Sequence, residues 1–124
     1  MRLTRKELIK TPFESGTGER VYEMLGAGDA IGGAKQHSFS HVVIPPHCAS
    51  RPHYHPVAEE TYYILSGEGR MLVDGRELRL VPGDALLILP PEVHQIFNDT
   101  DTELEFIAVC APAWEPSNSV YLDE

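Results

Sequence analysis

Glycine and proline residues interrupt this chain at short intervals. Its 124 residues include ten glycines and ten prolines, and the stretches between them are short runs rich in Val, Ile, Leu and Tyr. Many short apolar runs separated by turn residues are typical of β-strands joined by tight connections. The pattern therefore predicts an all-β domain built as a barrel or a sandwich of antiparallel strands.

A chain of 124 residues is long enough for one hydrophobic core and too short for several domains. We expect a single domain over residues 1–124. Its central part should lie at about residues 45–98, with peripheral arms at 1–20 and 112–124.

The clearest hairpin in the sequence surrounds Asp74 and Gly75. Alternating residues flank this pair over 70–80, and an Asp-Gly pair suits a two-residue turn that requires positive φ. A short helix of one or two turns is predicted near 4–10, where a capping-box pattern occurs. Further strands are predicted at residues 20–25, 37–44, 61–65, 85–89, 94–98 and 103–110.

The charge balance of the chain is acidic. Nineteen Asp and Glu residues against ten Lys and Arg residues give a formal net charge of −9. Such a surplus repels the phosphate groups of nucleic acids and of anionic membranes. No stretch approaches the roughly 20 apolar residues that a membrane helix needs. We therefore expect a small-molecule substrate or ligand, and neither nucleic acid nor membrane as a partner.

The cysteines indicate a reducing compartment. Cys48 and Cys110 lie far apart in the sequence and form no C-x-x-C pair, so neither a disulfide framework nor a structural zinc site is indicated. The first residues lead into no long apolar run of the kind that a secretory signal contains. We predict a cytoplasmic protein with two reduced cysteines.

Residue types that bind metal ions are concentrated in one part of the chain. His53, His55 and Glu60 fall within eight positions, and His94 follows after a hairpin and a further strand. Residues two apart on a strand face the same side, so the first two imidazoles can converge. Three imidazoles and one carboxylate suit one divalent transition-metal ion, whether Zn, Mn, Fe, Ni or Cu, with positions left for water or substrate. The alternative is a metal-free barrel whose histidines are structural.

The segment that contains these ligands resembles the first sequence motif of the cupin superfamily. In that motif H-x-H is followed, after three or four residues, by Glu and then, after six intervening residues, by Gly. Counting back from Gly67 selects Glu60 as the ligand rather than Glu59. His47 stands where the motif has a glycine, so this chain departs from the family at that position.

The sequence matches the second cupin motif at the beginning and at the end of the motif but not in the middle. Gly83, His94 and Asn98 keep the spacing of the family, whereas Leu89 and Pro91 stand where the motif has proline and glycine. The resemblance implies a single-domain double-stranded β-helix, also called a jelly-roll β-barrel. It also implies that the metal ligands are His53, His55, Glu60 and His94.

Tyr62 and His41 are the candidate catalytic residues. Tyr62 follows Glu60 by two positions and should share its face, and a phenol beside a divalent cation can act as a general acid or base. A structural tyrosine with a satisfied hydroxyl is the alternative. His37 and His41 share the parity of Phe39 on a predicted strand, so both could line the mouth of the barrel and donate hydrogen bonds beside the site. The alternative is that both are structural histidines with satisfied hydrogen bonds.

Small single-domain cupins include mannose-6-phosphate isomerase-like proteins, polyketide cyclases and sulfonium lyases. The resemblance therefore implies a metal-dependent enzyme that transfers protons, as an isomerase, lyase or cyclase, on a metal-bound carbonyl or carboxylate substrate. A dioxygenase that uses Fe, Ni or Cu is an open alternative, and so is a non-enzymatic cupin that binds a metabolite. Family members pair sheet to sheet, so we also expect a homodimer.

Overall fold

The computed structural model describes residues 1–123, and within them the chain forms eleven β-strands and three short 3-10 helices. The 3-10 helices span Lys6–Leu8, Asp29–Ile31 and Pro116–Asn118. The strands are β1 (Phe13–Glu14), β2 (Arg20–Leu25), β3 (Ser38–Ile44), β4 (His53–Tyr54), β5 (Glu59–Ser66), β6 (Gly69–Val73), β7 (Arg76–Leu80), β8 (Ala85–Ile88), β9 (His94–Phe97), β10 (Leu104–Ala111) and β11 (Val120–Tyr121). None of the helices in the described part is long and apolar enough to cross a membrane.

The strands form two antiparallel sheets that face each other. The larger sheet has the order β1-β2-β3-β10-β5-β8, and the smaller one has the order β11-β4-β9-β6-β7. From β3 onward the chain crosses repeatedly from one sheet to the other, and only the β6–β7 hairpin stays within one sheet. This is the predicted all-β double-stranded β-helix, and the fold class is confirmed.

The core lies between the inner faces of the two sheets. Strand β10 shows how the sequence places it there, because its residues alternate strictly between buried and half-buried positions. Leu104 and Phe106 are fully buried, and they pack with Ile64 from β5 and with Met71 and Ile96 from the smaller sheet. Burying a side chain of this size contributes roughly 1.5–3 kcal/mol.

The predicted hairpin at Asp74 and Gly75 is confirmed. Val73 pairs with Arg76 at the end of the β6–β7 ladder, which leaves the two residues between them to form the turn. Both have positive φ, 46° for Asp74 and 81° for Gly75, as a tight turn between twisted strands requires.

The N-terminal helix is shorter than the sequence suggests. It is a single 3-10 turn, Lys6–Leu8, and Arg5 at its N-cap position makes no side-chain capping hydrogen bond. Only three residues are helical, and none of them is buried. A helix this short gains little from packing, so the capping-box pattern was not enough to extend it.

The C-terminal arm packs on the smaller sheet. Strand β11 pairs with β4, with Val120 opposite Tyr54 and Tyr121 opposite His53, and the backbone N–H of Leu122 donates to Pro52. Strands β1, β4 and β11 are only two residues long, and the sequence pattern did not predict them. Their effect is to bring both chain ends to the side of the barrel where the histidines lie.

Candidate metal centre and its cavity

The structure brings the four residues singled out as metal ligands together at one end of the barrel. His53 lies on β4 opposite His94 on β9, Glu60 lies on β5 of the other sheet, and His55 lies just beyond β4. One nitrogen or oxygen atom from each of these residues falls within 4.8 Å of those of the other three. Both sheets therefore contribute to the cluster.

Backbone carbonyl groups orient all three imidazoles. A carbonyl oxygen only accepts hydrogen bonds, so each Nδ1 must carry the proton and donate it, which leaves Nε2 with a lone pair. In each of the three rings, Nε2 is therefore the nitrogen that can bind an ion. The Nδ1-to-oxygen distances are 2.8 Å from His53 to Arg51, 2.6 Å from His55 to Asn118 and 3.1 Å from His94 to Glu92.

The Nε2 atom of His94 is buried and has no hydrogen-bond partner among the described residues. His94 is 1% exposed, and the nearest Glu60 oxygen lies 3.4 Å from this nitrogen. A buried polar atom without a partner is costly, and native structures usually explain it by a bound ion or water. The donor set and this orphaned lone pair fit a divalent transition-metal ion.

Electrostatics keep His53 and Glu60 in the protonation states that an ion needs, whereas they favour a proton on His55 that an ion would displace. Burial, assisted by the neighbouring His94, lowers the pKa of His53 to about 4, so this imidazole is neutral at pH 7. Burial by itself would raise the pKa of Glu60, but the imidazoles of His55 and His94 outweigh it and lower the pKa. Burial also opposes protonation of His55, yet the hydrogen bond and charge of Glu60 raise its pKa.

Strand alternation separates Glu60 from its neighbour Glu59. Glu60 is 9% exposed, and its Oε1 lies 3.0 Å from Nε2 of His55, whereas Glu59 is exposed on the outer side of β5. The spacing to Gly67 had favoured Glu60, and the structure places it inside.

A cavity of about 560 Å³ opens in front of the cluster, and His53, His55 and Glu60 form part of its wall. Tyr62 lies in the same wall, 4% exposed, with its ring 6.1 Å from that of His94 and 4.5 Å from that of Phe106. Burial and the charge of Glu60 raise the pKa of Tyr62 well above its ordinary value. The phenol is therefore neutral and is a hydrogen-bond donor inside the cavity.

His41 does not face this cavity. On β3 the buried residues with cavity contact are Ser38, Ser40 and Val42, so the odd-numbered residues point to the outer face. There the Nε2 of His41 lies 2.8 Å from a carboxylate oxygen of Glu105. The expected position at the barrel mouth is wrong, because the parity of a strand does not say which of its faces the other sheet covers.

Two carboxylates that the sequence pattern did not single out lie in the cavity wall. Glu19, Val21 and Glu23 are spaced two apart and all line the cavity from the β2 side. Burial and then the charge of Glu60 raise the pKa of Glu19 to about 7, and burial raises the pKa of Glu23. The available signal was the two-residue spacing of Glu19, Val21 and Glu23, which puts all three on one face of an extended segment.

The other motif residues have structural roles. Asn98 is 1% exposed, and its side-chain amide donates to the backbone carbonyls of Ile44 and Thr102 at 2.9 and 2.8 Å. His47 has φ 60°, the left-handed conformation that favours glycine, which explains why the cupin motif has glycine at this position. Its imidazole is exposed and lies 2.8 Å from Asp101, outside the cavity.

Residues 40–110 match the family model described as a cupin domain. The chain belongs to the cupin superfamily. This match includes all four residues of the candidate metal centre together with Tyr62, and the folded architecture agrees with it. Cupins host many different reactions, so the family by itself does not identify the activity.

Three similar proteins show the range of chemistry in this family. The oxalate-binding protein of Thermotoga maritima is 36% identical over 75 residues, which cover 60% of this chain and less than two thirds, 62%, of that protein. Oxalate decarboxylase of Bacillus subtilis, which has Mn(II) centres, superposes with a TM-score of 0.79 at 27% identity, over 93% of this chain and 30% of that one. The polyketide cyclase RemF of Streptomyces resistomycificus has a TM-score of 0.79 at 21% identity, over 100% of this chain and 88% of that one, a likeness that concerns the fold alone.

Proposed function

We propose that this cupin is a metal-dependent enzyme that transfers protons on a small organic molecule held in the barrel cavity. The reaction class is isomerisation, elimination or cyclisation of a carbonyl or carboxylate compound. The observation that carries the proposal is the convergence of three imidazole nitrogens and one carboxylate within 4.8 Å, at the wall of a cavity large enough for a substrate.

His53, His55, Glu60 and His94 are the residues that would hold the ion. A divalent ion there supplies Lewis acidity, which makes protons next to a coordinated carbonyl or carboxylate group easier to remove. The carbonyl groups behind the imidazoles fix the ring orientation, and His55, Glu60 and His94 are buried, which limits contact between bulk water and the reacting end of a substrate.

Tyr62 is the residue for which we propose a role in moving a proton. Its side chain belongs to the cavity wall on the same inner face of β5 as Glu60. In the proposed reaction the Tyr62 hydroxyl donates a hydrogen bond to a developing oxyanion. We propose no catalytic role for His41, which lies on the outer face of its strand beside Glu105.

The first test measures metal content. The protein is purified without an affinity tag, incubated with Mn, Zn or Fe and analysed for bound metal beside Glu60→Gln and its matched control Glu59→Gln. We expect about one ion per chain in the wild type and in Glu59→Gln, and loss of the ion in Glu60→Gln. Equal metal content in all three proteins, or none in any, would overturn the assignment of the site.

The second test measures proton transfer directly. Metal-loaded protein is incubated in heavy water with a panel of small ketones, hydroxy acids and aromatic polyketones, and NMR follows the exchange of carbon-bound hydrogen. We expect exchange with at least one compound, and a loss of at least 100-fold in rate in Tyr62→Phe. Oxygen consumption by iron-loaded protein without such exchange would favour the dioxygenase alternative, and binding without any turnover would favour the non-enzymatic one.

We also propose that the protein is a homodimer. Its support is a set of apolar side chains on the outer face of the larger sheet, where Tyr63 is 46%, Leu65 42% and Leu87 53% exposed. Light scattering coupled to gel filtration should give twice the chain mass of 13.8 kDa, and Leu87→Glu should give the monomer mass. A monomeric wild type would contradict the proposal.

A cytoplasmic location is likewise a proposal. Its support is that Cys48 and Cys110 are both free, as thiols are in a reducing compartment. Fractionation of the source cells with an antibody against the protein should recover it with cytoplasmic markers. Recovery outside the cytoplasmic fraction would contradict this placement.

A further inference from the structure

The wall opposite the histidines gives the cavity a negative charge. Glu19 and Glu23 line it from the β2 side, and Glu60 lines it from β5. Val21 lies between the two β2-side carboxylates and is part of the same row. A ligand that enters the cavity therefore meets carboxyl groups from the β2 side and from β5, both in the larger sheet.

The cation that could balance these groups already has partners. Arg51 is the one lysine or arginine among the described residues that line the cavity. Its Nε lies 3.1 Å from Oδ2 of Asp123, its Nη2 lies 2.8 Å from Oδ1 of the same carboxylate, and its guanidinium lies 4.0 Å from the centre of the Tyr121 ring. An incoming dianion would have to compete with Asp123 for this cation.

The raised pKa values of the two β2-side carboxyl groups agree with an excess of negative charge in this part of the cavity. Burial, reinforced by the charge of Glu60, raises the pKa of Glu19 to about 7, and burial raises the pKa of Glu23. Negative charge is thus already unfavourable in this part of the cavity. A further anion placed there would add to the repulsion.

The rest of the wall is apolar and the space is large. Val42 and Ala108 form the inner part, and Phe13 and Trp114 from the two chain ends lie in the outer part. A volume of about 560 Å³ falls within the 300–1,000 Å³ that is usual for pockets binding drug-sized ligands. Oxalate, the smallest dicarboxylate, would leave most of this space and apolar surface uncovered.

We propose that the cavity takes an uncharged, mainly apolar molecule, such as an aromatic ring system with neighbouring oxygen atoms, and that Glu19 and Glu23 exclude small dicarboxylates. The proposal names the substrate class of the proposed enzyme. It rests on the proposed metal-dependent function in one respect only, which is that the oxygen atoms of the ligand lie towards the metal ligands. It also separates this chain from its oxalate-related relatives, whose named ligand is a small dianion. Glu19 and Glu23 are then specificity-determining residues that act through their charge.

The test uses two fluorescent probes that differ by one charged group, N-phenyl-1-naphthylamine, which is uncharged, and 8-anilino-1-naphthalenesulfonate. They are titrated at pH 8 into metal-free protein, so the result does not depend on a bound ion, and quenching of Trp114, the chain's one tryptophan, reports occupation of the cavity. We expect the uncharged probe to bind at least tenfold more tightly. In the double variant Glu19→Gln/Glu23→Gln the sulfonate should gain at least tenfold in affinity while the uncharged probe is unchanged.

The matched control is Glu14→Gln/Glu68→Gln, which removes two exposed carboxylates outside the cavity and should leave both affinities as they are. A second arm measures oxalate binding to zinc-loaded protein by calorimetry, where the cavity double variant should bind oxalate at least tenfold more tightly than the wild type. Equal binding of the two probes by the wild type, or no gain in the double variant, would overturn the proposal. Failure to load any of zinc, manganese and iron would contradict the metal-dependent function and leave the probe result standing.

Discussion

Among single residues, Glu19 shows how burial changes the chemistry of a side chain. An ordinary glutamate has a pKa near 4.5, whereas the surroundings of Glu19 raise its pKa to about 7. Loss of water around the carboxylate is the main cause, the charge of Glu60 adds to it, and a hydrogen bond from Ser15 opposes it. At neutral pH this residue is therefore divided between a hydrogen-bond donor and an anion.

This raised pKa predicts how stability depends on pH. Between pH 4.5 and 7 the folded protein keeps the proton of Glu19 and the unfolded chain has lost it, so the contribution of Glu19 to stability falls as pH rises through this window. Glu19→Gln should remove roughly 1–3 kcal/mol of the stability lost between pH 5 and pH 8. Urea unfolding of the metal-free proteins at both pH values measures this, with Glu14→Gln as the unaffected control. The same stability difference from the wild type at both pH values would contradict the prediction.

At the scale of secondary-structure elements, the last 3-10 helix, Pro116–Asn118, supports the candidate metal centre. The backbone carbonyl of Asn118 accepts the Nδ1 proton of His55 at 2.6 Å. Its side-chain Oδ1 accepts from the backbone N–H groups of Val57 and Ala58, at 3.3 and 3.4 Å. One residue of the C-terminal arm thus fixes both an imidazole and the loop that leads to Glu60.

Removing the side chain of Asn118 should loosen that loop without removing a ligand. We expect Asn118→Ala to weaken zinc binding by about tenfold, the lower end of the range for groups that position metal ligands. The exposed neighbour provides the control, because Ser117→Ala leaves these hydrogen bonds in place. Competition with a fluorescent chelator gives both affinities, and an unchanged affinity in Asn118→Ala would show that the loop is held by other contacts.

The turn between β5 and β6 depends on Gly67. This residue has φ 76°, and a Cβ placed on it would lie 2.2 Å from the backbone oxygen of Glu103. Gly75 in the β6–β7 turn has a similar φ of 81°, but a Cβ there would meet nothing within 4 Å. Position 67 therefore requires glycine both because φ is positive and because there is no space for a Cβ, whereas at position 75 only the positive φ favours glycine.

The two glycines allow backbone strain to be separated from steric overlap. Gly75→Ala should cost about 1 kcal/mol, the usual penalty for a left-handed alanine. Gly67→Ala should cost roughly 3 kcal/mol or more, because the backbone of the facing strand must also move. Chemical denaturation of the two variants side by side measures the difference, and equal costs would refute a steric role for Gly67.

For the whole molecule, the candidate metal centre is a link between the two sheets. His53 and His94 belong to the smaller sheet and Glu60 to the larger one. An ion held by all three would connect parts of the chain that are separated in the unfolded state, and such an ion would bind the folded state alone. Ligands of this kind stabilise a protein by mass action.

Metal removal should therefore destabilise the protein as a whole. At an ion concentration about 100 times the Kd, binding adds about 2.7 kcal/mol, which for a domain of this size raises Tm by about 10 °C. Differential scanning calorimetry with zinc and with excess chelator measures this shift. Glu60→Gln should show the same Tm under both conditions, and a metal-dependent shift that persists in this variant would place the ion elsewhere.

The features that the sequence determined by itself are local ones. The Asp74–Gly75 turn follows from the φ values that these residues tolerate, and the all-β class follows from the spacing of turn residues. The common face of Glu60 and Tyr62 follows from the two-residue period of a strand. Each depends on neighbours within a few positions, so a pattern in the sequence is sufficient to predict it.

Only the tertiary structure decided which side of each strand faces the cavity. His41 and Ser40 are adjacent on β3, yet only Ser40 faces the cavity, because the second sheet covers that side. Glu19 and Asn118 reach the site from opposite ends of the chain, and no local pattern relates them to the histidine motif. Their roles depend on contacts between residues that are distant in sequence, which pairing of the strands and packing of the two sheets create.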